Sequence, residues 1–387
     1  MKTIPSITGL MALLPLPFLA LLLAASPARA EWSLENPPKV PPLAPEGSKE
    51  PADPKNFPEV KMDFPIAAGP FAPTWDSIRT NHPGVPAWFN DAKFGVFIHW
   101  GPQASGKSGD WYARNIYREG SGPYRNHLRD FGHPSESGYK EVLKAWTAPK
   151  WDPEALTKRF ADAGMRFMMV VGVHHDNFDL WDSKYQPWNS VRIGPKKDMI
   201  GGWAEAAKKN GMRFCITFHH EYSWWWWADA YKADTKGPKA GVPYDGNLTL
   251  ADGKGKWWEG LDPRLLYNIN LGEYHLHDVK TDRSGVKTEK YFPVTEIAFG
   301  RRGIFQDHQE YAKWYAERWA RRIQDAIEKY DPDMFYTDGN TSEPFCGDQS
   351  GSGFKCDAAR RVVADFYNRA LAKNGKVDKI ALSLIHI

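Results

Sequence analysis

The chain has 387 residues, 42% of them hydrophobic and 14% aromatic, enough for one large domain or two ordinary ones. Its 50 basic and 47 acidic residues nearly cancel, and a net charge of +3 excludes the strong basic excess of a nucleic-acid protein. The 18 Trp are an unusual supply of flat faces, suited to sugar rings and to core filling alike.

Residues 1–30 have the layout of a signal peptide. Lys2 gives a positive start, Leu10 to Leu23 an apolar run interrupted by Pro15 and Pro17, and Ala28-Arg29-Ala30 a small-residue cleavage site. The run is too short and too broken for a membrane span, so a secreted or periplasmic protein is expected. Residues 31–85, rich in Pro, Lys and Glu, read as a lead-in, with the ordered domain opening near Pro86-Ala87-Trp88-Phe89.

From there strands and helices alternate. Phe94 to Ile98 is a short apolar strand ending in His99-Trp100-Gly101. Asp152-Pro153-Glu154 opens a helix with Leu156 and Phe160 on its apolar face, closed by Gly164. A buried strand follows over 165–171, a helix over about 198–210, and a third strand over 212–218. The helix predicted over 308–329 carries Tyr311, Tyr315, Trp319, Ile323 and Ile327 at steps of four, an inward stripe. Met334 to Thr337 is the next strand, and a helix over 357–373 leads into Ile380-Ala381-Leu382.

Apolar strands alternating with amphipathic helices predict an α/β fold with a parallel sheet covered by helices. No Gly-rich phosphate loop follows the first strand, which counts against a dinucleotide-binding open sheet. Polar and aromatic residues gather after each strand instead: His99-Trp100, His174-His175-Asp176, His219-His220-Glu221 and Asp338. Reactive groups at successive strand ends are what the active face of a (β/α)8 barrel requires. The expectation is a TIM-like barrel, incomplete in this chain, with about the first four to five βα units over residues 86–381. The stretch 221–300 is too long for a simple connection and reads as an insertion. Residues 382–387 resemble the translation of a sequencing-library adapter, so a non-native end, a fragment, and insolubility of that fragment alone are expected.

Asp338 ends the run Tyr330-Asp331-Pro332-Asp333-Met334-Phe335-Tyr336-Thr337 and precedes Gly339, where a rigidly presented glycosidase nucleophile would sit. Phe178, Trp181-Asp182-Ser183 and Trp188-Asn189-Ser190 offer stacking faces and hydroxyl partners for a sugar pocket, and residues 255–263 suit an extended glycan. Cys215 reads as a core residue. Cys346 and Cys356, in a Gly/Ser-rich loop, are either a disulfide or two thiols.

Together these residues resemble the α-L-fucosidase family of retaining glycosidases. The resemblance runs over roughly 86–340, through Trp88-Phe89-Asn90-Asp91-Ala92-Lys93-Phe94-Gly95, Ile98-His99-Trp100-Gly101 and Asp110-Trp111-Tyr112-Ala113-Arg114-Asn115. It continues through His174-His175-Asp176 and Trp181-Asp182-Ser183-Lys184-Tyr185 to the Asp338 motif. It implies exo-acting, retaining hydrolysis of terminal α-L-fucosyl or closely related L-sugar residues through a glycosyl-enzyme intermediate, without a cofactor or metal. The implied partner is a fucose-containing oligosaccharide or polysaccharide. Asp338 would be the nucleophile, His99, Trp100, His174 and His175 would bind sugar hydroxyls, and Trp111 would flank the pocket. Asp110, His220 and Glu221 complete the expected binding set. The chain departs from the family's pattern with Asn177 for Gly, Asp110 for a frequent Glu, and His219-His220-Glu221-Tyr222 for a Tyr-rich strand end. The acid/base carboxyl is expected beyond the nucleophile, in a part missing from this chain, with Glu221 and Glu343 as candidates within it.

Two other classes stay open at this point. A metal-dependent barrel hydrolase would use His99, His174, His175, His219, His220 and Asp338 as ligands. A non-catalytic sugar-binding homologue would keep the pocket and lack the acid/base.

Overall fold

The computed structural model describes residues 34–38, 59–221, 223–268, 279–281, 287–289, 309–338 and 355–383. Residues 1–30, Glu343 and Cys346 lie outside the described residues. Among those described, no helix is long and apolar enough to cross a membrane.

Five strands form one parallel sheet: β1 (Gly95–Ile98), β2 (Phe167–Val173), β3 (Arg213–Phe218), β4 (Met334–Thr337) and β5 (Ile380–Ser383). They pair in chain order, each with the next, with no reversal of direction across the sheet. Helices α1 (Pro153–Asp162), α2 (Met199–Lys209), α3 (Gln309–Tyr330) and α4 (Ala358–Asn374) fall in the four successive connections. Local chemistry starts two of them in the same way. The Asp152 carboxylate accepts from the Ala155 amide at 3.0 Å, and Asp198 from Gly201 at 2.8 Å, satisfying amides that have no partner in the first turn.

The main core lies between sheet and helices. Tyr311, Tyr315, Trp319, Ile323 and Ile327 of α3 are all buried there, as their spacing requires. Alternation along the strands sends the other side chains to the opposite face. Ile216 and Phe335 join the main core, whereas Cys215, Met334 and Ile380 form a small second cluster with Trp88, Phe89, Phe167 and Met169.

Two sequence expectations are corrected. Leu156 is exposed; the inward line of α1 runs through the buried Thr157 and the partly buried Phe160 and Ala161. β1 is not apolar-buried throughout, because Phe97 is 50% exposed on a strand that among the described residues pairs with β2 alone.

Ordered packing also begins before Pro86. Glu59–Val60 pairs with Lys355–Cys356, and Met62, Phe64 and Phe71 are buried. An extended Pro-rich segment has backbone groups that no ladder satisfies, and polar side chains of the α4 region supply partners. Asp357 accepts from the Met62 amide at 2.7 Å and Asp365 from Ala67 at 2.6 Å. Asn368 accepts from the Phe71 amide at 3.0 Å and donates to the carbonyls of Ala67 and Phe71 at 2.9 and 3.0 Å. Gly69 permits this approach, since a Cβ there would stand 2.1 Å from the Asn368 Oδ1.

The stretch 223–268 is tied to the segment 112–146 by buried Asp245. Tyr117 and Tyr267 donate to its carboxylate at 2.6 and 2.7 Å, and Lys140 Nζ lies 3.1 Å away. Trp258 is buried in the core, so the 255–263 stretch does not present it to a glycan.

Asn368 gives a direct test of the lead-in's anchorage. Asn368→Ala removes three hydrogen bonds and leaves buried backbone groups without partners, a cost of about 2–4 kcal/mol. Urea unfolding of parent and variant measures it, and an unchanged midpoint would contradict the anchorage.

Candidate active site

The strand ends place the chemistry. Phe218 of β3 is in register with Thr337 of β4, so the next residues, His219 and Asp338, emerge side by side. The Asp338 amide donates to the Phe218 carbonyl at 3.0 Å, and the His219 amide to the Val173 carbonyl at 2.9 Å. β2 shifts register between Val171 and Val173 just before His174. The result is a cluster of four imidazoles. The ring of His174 lies 4.6 Å from that of His175, 4.9 Å from His99 and 5.4 Å from His219.

Asp338 faces two of these rings, with Oδ2 3.2 Å from His219 Nδ1 and 3.6 Å from His175 Nε2. The closer contact is off the hydrogen-bond axis, and we treat it as electrostatic. The Tyr336 hydroxyl donates to Oδ1 at 3.4 Å. Burial raises the carboxyl's pKa, but His219, His175 and Tyr336 outweigh it, and Asp338 titrates below its ordinary value. It is therefore an anion at neutral pH, and at 29% side-chain exposure it is open to a ligand.

The rings of His99, His174 and His175 are held toward the neutral form. Burial, then repulsion from His219, lowers His99 and takes His175 down to about 3; burial and the neighbouring rings take His174 well below its ordinary value. His175 has a fixed tautomer. Its Nδ1 hydrogen-bonds the His219 carbonyl, which can only accept, so Nδ1 carries the proton and Nε2 the lone pair. His174 is buried with neither ring nitrogen hydrogen-bonded among the described residues. Buried polar atoms of this kind mark a place where a ligand supplies the partner.

Trp111 stands at the mouth, 38% exposed, with its ring 4.6 Å from Trp226 and 6.4 Å from His175. The Arg114 guanidinium lies over both indoles at 5.6 and 6.0 Å, itself beside Asp229. Asp110 is exposed, 3.8 Å from His99 Nε2. Glu221 is buried. Burial, then the charge of Asp338, raises its pKa to about 8, and its Oε2 has no hydrogen-bond partner among the described residues.

Several expected residues lie elsewhere. His220 turns to the opposite side from His219, as neighbouring strand-end residues do, and its Nε2 meets the Trp319 carbonyl at 3.3 Å in the core. The Trp100 ring packs edge-on against Trp146 at 5.2 Å. Phe178, Trp181 and Trp188 are fully buried, the two indoles donating to Asp325 and to the Asp262 carbonyl, so they are core and not stacking faces. Asp176 accepts from the Tyr139 hydroxyl at 2.6 Å beneath the cluster. Asn177, where the family pattern has Gly, has φ +65°, a conformation Asn tolerates best after Gly, and Arg322 holds its side chain.

His219, expected only as a ligand in the metal reading and not among the sugar-binding residues, joins the cluster as well, and strand alternation could have found it. If His175 and Asp338 face the pocket, the β3 residue beside Asp338 must face it too. Two groups could also hold a metal ion: His99, His174 and His219, and His175, His219 and Asp338. In each, the ligand atoms lie within 4.8 Å of one another.

Glu221 makes stability depend on pH in a stated direction. Its folded pKa of about 8 lies above the ordinary 4.5, so its contribution is complete below pH 4.5 and is lost as pH rises through 8. Glu221→Gln should remove that decline. Thermal unfolding of parent and variant between pH 4.5 and 9 should show the variant gaining on the parent as pH rises; parallel curves would refute the assignment.

The sequence profile of the α-L-fucosidase family matches residues 60–381. A tissue α-L-fucosidase of Macaca fascicularis is 33% identical over 156 residues, covering 40% of this chain and 32% of that protein. An α-L-fucosidase of Dictyostelium discoideum is 28% identical over 168 residues, covering 41% and 35%. The chain spans about a third of the length of these curated relatives. The crystal structure of Thermotoga maritima α-fucosidase with a mechanism-based inhibitor is similar at a TM-score of 0.45 and 22% identity, covering 77% of this chain and 54% of that one. With the profile matched over most of its length, the chain belongs to the α-L-fucosidase family.

Proposed function

We propose that this chain carries the glycone pocket and nucleophile of a retaining glycosidase that removes terminal α-L-fucosyl residues from glycans. The observation that carries the reading is an ionised carboxylate, Asp338, at a strand end and bordered by the neutral imidazole of His175 and by the ring of His219. Such a pocket suits an uncharged polyol. A sugar hydroxyl can donate to the His175 Nε2 lone pair while its oxygen accepts from a neighbouring ring, and Trp111 offers an apolar face for the deoxysugar.

In this reading an Asp338 oxygen attacks the anomeric carbon as the bond to the leaving oxygen breaks, giving a glycosyl ester. Water then cleaves the ester, and two inversions return the original configuration. Ionisation of Asp338 suits a nucleophile, and neutral rings let it approach the sugar without a competing ion pair. The second carboxyl must stand about 5–5.5 Å from the nucleophile. Glu221 is sealed from a leaving group by burial, so we assign acid/base catalysis to a carboxyl outside the described residues.

We further propose that the five strands are consecutive staves of a (β/α)8 barrel. Their sequential parallel order, the reactive cluster at their carboxyl ends and the second apolar cluster on the face away from α1–α4 support this. The leader-like residues 1–30 support export to the periplasm or beyond.

The test is hydrolysis of 4-nitrophenyl α-L-fucoside by the full-length gene product. Asp338→Ala should lower kcat by ~10⁴-fold or more, as removal of a nucleophile does. Azide should restore part of the rate and yield the β-fucosyl azide. An inactive parent, or a variant of undiminished rate, would reject the reading.

A further inference from the structure

We infer that the imidazoles of His99, His174 and His219 form a binding site for a borderline transition-metal dication, such as Zn(II), that closes the pocket to its sugar. The competition half of this inference rests on the glycosidase reading; the metal site does not.

Three features of the cluster point to a metal. First, the rings come from the ends of three adjacent strands, β1, β2 and β3, which fixes their backbones in one sheet. Second, their ligand atoms already lie within 4.8 Å of one another. Tetrahedral Zn–N bonds of about 2.0–2.1 Å need nitrogens roughly 3.3 Å apart, so ring rotations of the order of 1 Å complete the site. Third, neither His174 nor His219 has an aligned hydrogen bond at either ring nitrogen among the described residues, and both are buried. An imidazole used only as a sugar donor is normally held at its other nitrogen, as His175 is by the His219 carbonyl. His174 lacks that restraint and is free to turn a lone pair inward, while His219 is bordered at Nδ1 by the Asp338 carboxylate.

The electrostatics agree. Asp338 Oδ2, 3.2 Å from His219, places a negative charge at the rim of the triad, favouring a cation. Three imidazoles with one open position suit zinc, cobalt or copper and not the oxygen-seeking calcium or magnesium. His220 cannot contribute, because it is turned into the core. The site therefore depends on His219, the residue that departs from the family's Tyr-rich strand end. A bound ion would occupy the space beside Asp338 and engage the rings that the sugar needs.

Cobalt(II) makes the test visible. Chelator-treated full-length protein, titrated with Co(II) at neutral pH, should develop the d–d bands of a four-coordinate imidazole complex, and Zn(II) should abolish them. His219→Phe should weaken binding by at least about 100-fold, more than loss of a group behind a ligand costs. His174→Gln serves as a second variant should the first not fold. L-fucose should shift the titration to higher Co(II), and Zn(II) should inhibit aryl-fucoside hydrolysis competitively. A parent that hydrolyses the fucoside but shows no Co(II) bands overturns the metal site alone. Bands that persist at full strength in folded variants of both residues also overturn it. A parent that binds Co(II) through these residues but hydrolyses nothing overturns the glycosidase reading alone.

Discussion

The site hangs on the register between the third and fourth strands. With Phe218 opposite Thr337, His219 and Asp338 leave the sheet together on one face. A slip of one residue in β3 would exchange His219 for His220 and turn the ring that borders the carboxylate into the helix layer. The sheet enforces the register from both sides. Cys215 and Ile216 pack on opposite faces, and a slip would exchange their environments. The cluster is thus a by-product of core packing, and its precision comes from the sheet, with the His175 Nδ1 bond to the His219 carbonyl as an added tie.

The sparse hydrogen bonding among the ring side chains shapes what the pocket accepts. A pocket of mutually bonded side chains would have little left to offer a ligand. Here burial keeps His174 and His175 neutral, while the nearby carboxylate stays charged beside His219, His175 and a phenol. Neutral rings beside an anion accommodate hydroxyl donors or a cation, and disfavour anions. The same physics that admits an uncharged sugar leaves the site open to a soft metal ion, so polyol and metal are two answers to one arrangement of lone pairs.

Much of this was legible in the sequence. The five apolar runs and the four-step aromatic stripe of α3 carry their period openly, and the strand-end histidines and Asp338 lie where a parallel sheet puts its reactive face. What was not legible depends on neighbours distant in the chain. Trp181 and Trp188 have the composition of a sugar platform, but α3 and the Asp262 turn claim their indole N–H groups. His220 and His219 are indistinguishable as letters; the facing helix, which offers the Trp319 carbonyl, separates them. The lead-in has no periodicity because side chains of another helix satisfy its backbone. Only Asn177 in place of Gly was a departure that local geometry explains, through its positive φ.

That lead-in also bears on the order in which the molecule can be made. Its partners Asp357, Asp365 and Asn368 stand 295–301 positions further along the chain. Closing a loop of that length costs roughly 5 kcal/mol of chain entropy. Each βα unit of the sheet can dock on the one before it as the chain emerges, but the segment 59–72 must wait until α4 has been synthesised and folded. During that interval Met62, Phe64 and Phe71 are exposed apolar side chains at the start of a nascent chain, available to chaperones. Protection of these residues from proteolysis would therefore report that α4 has been made and has docked.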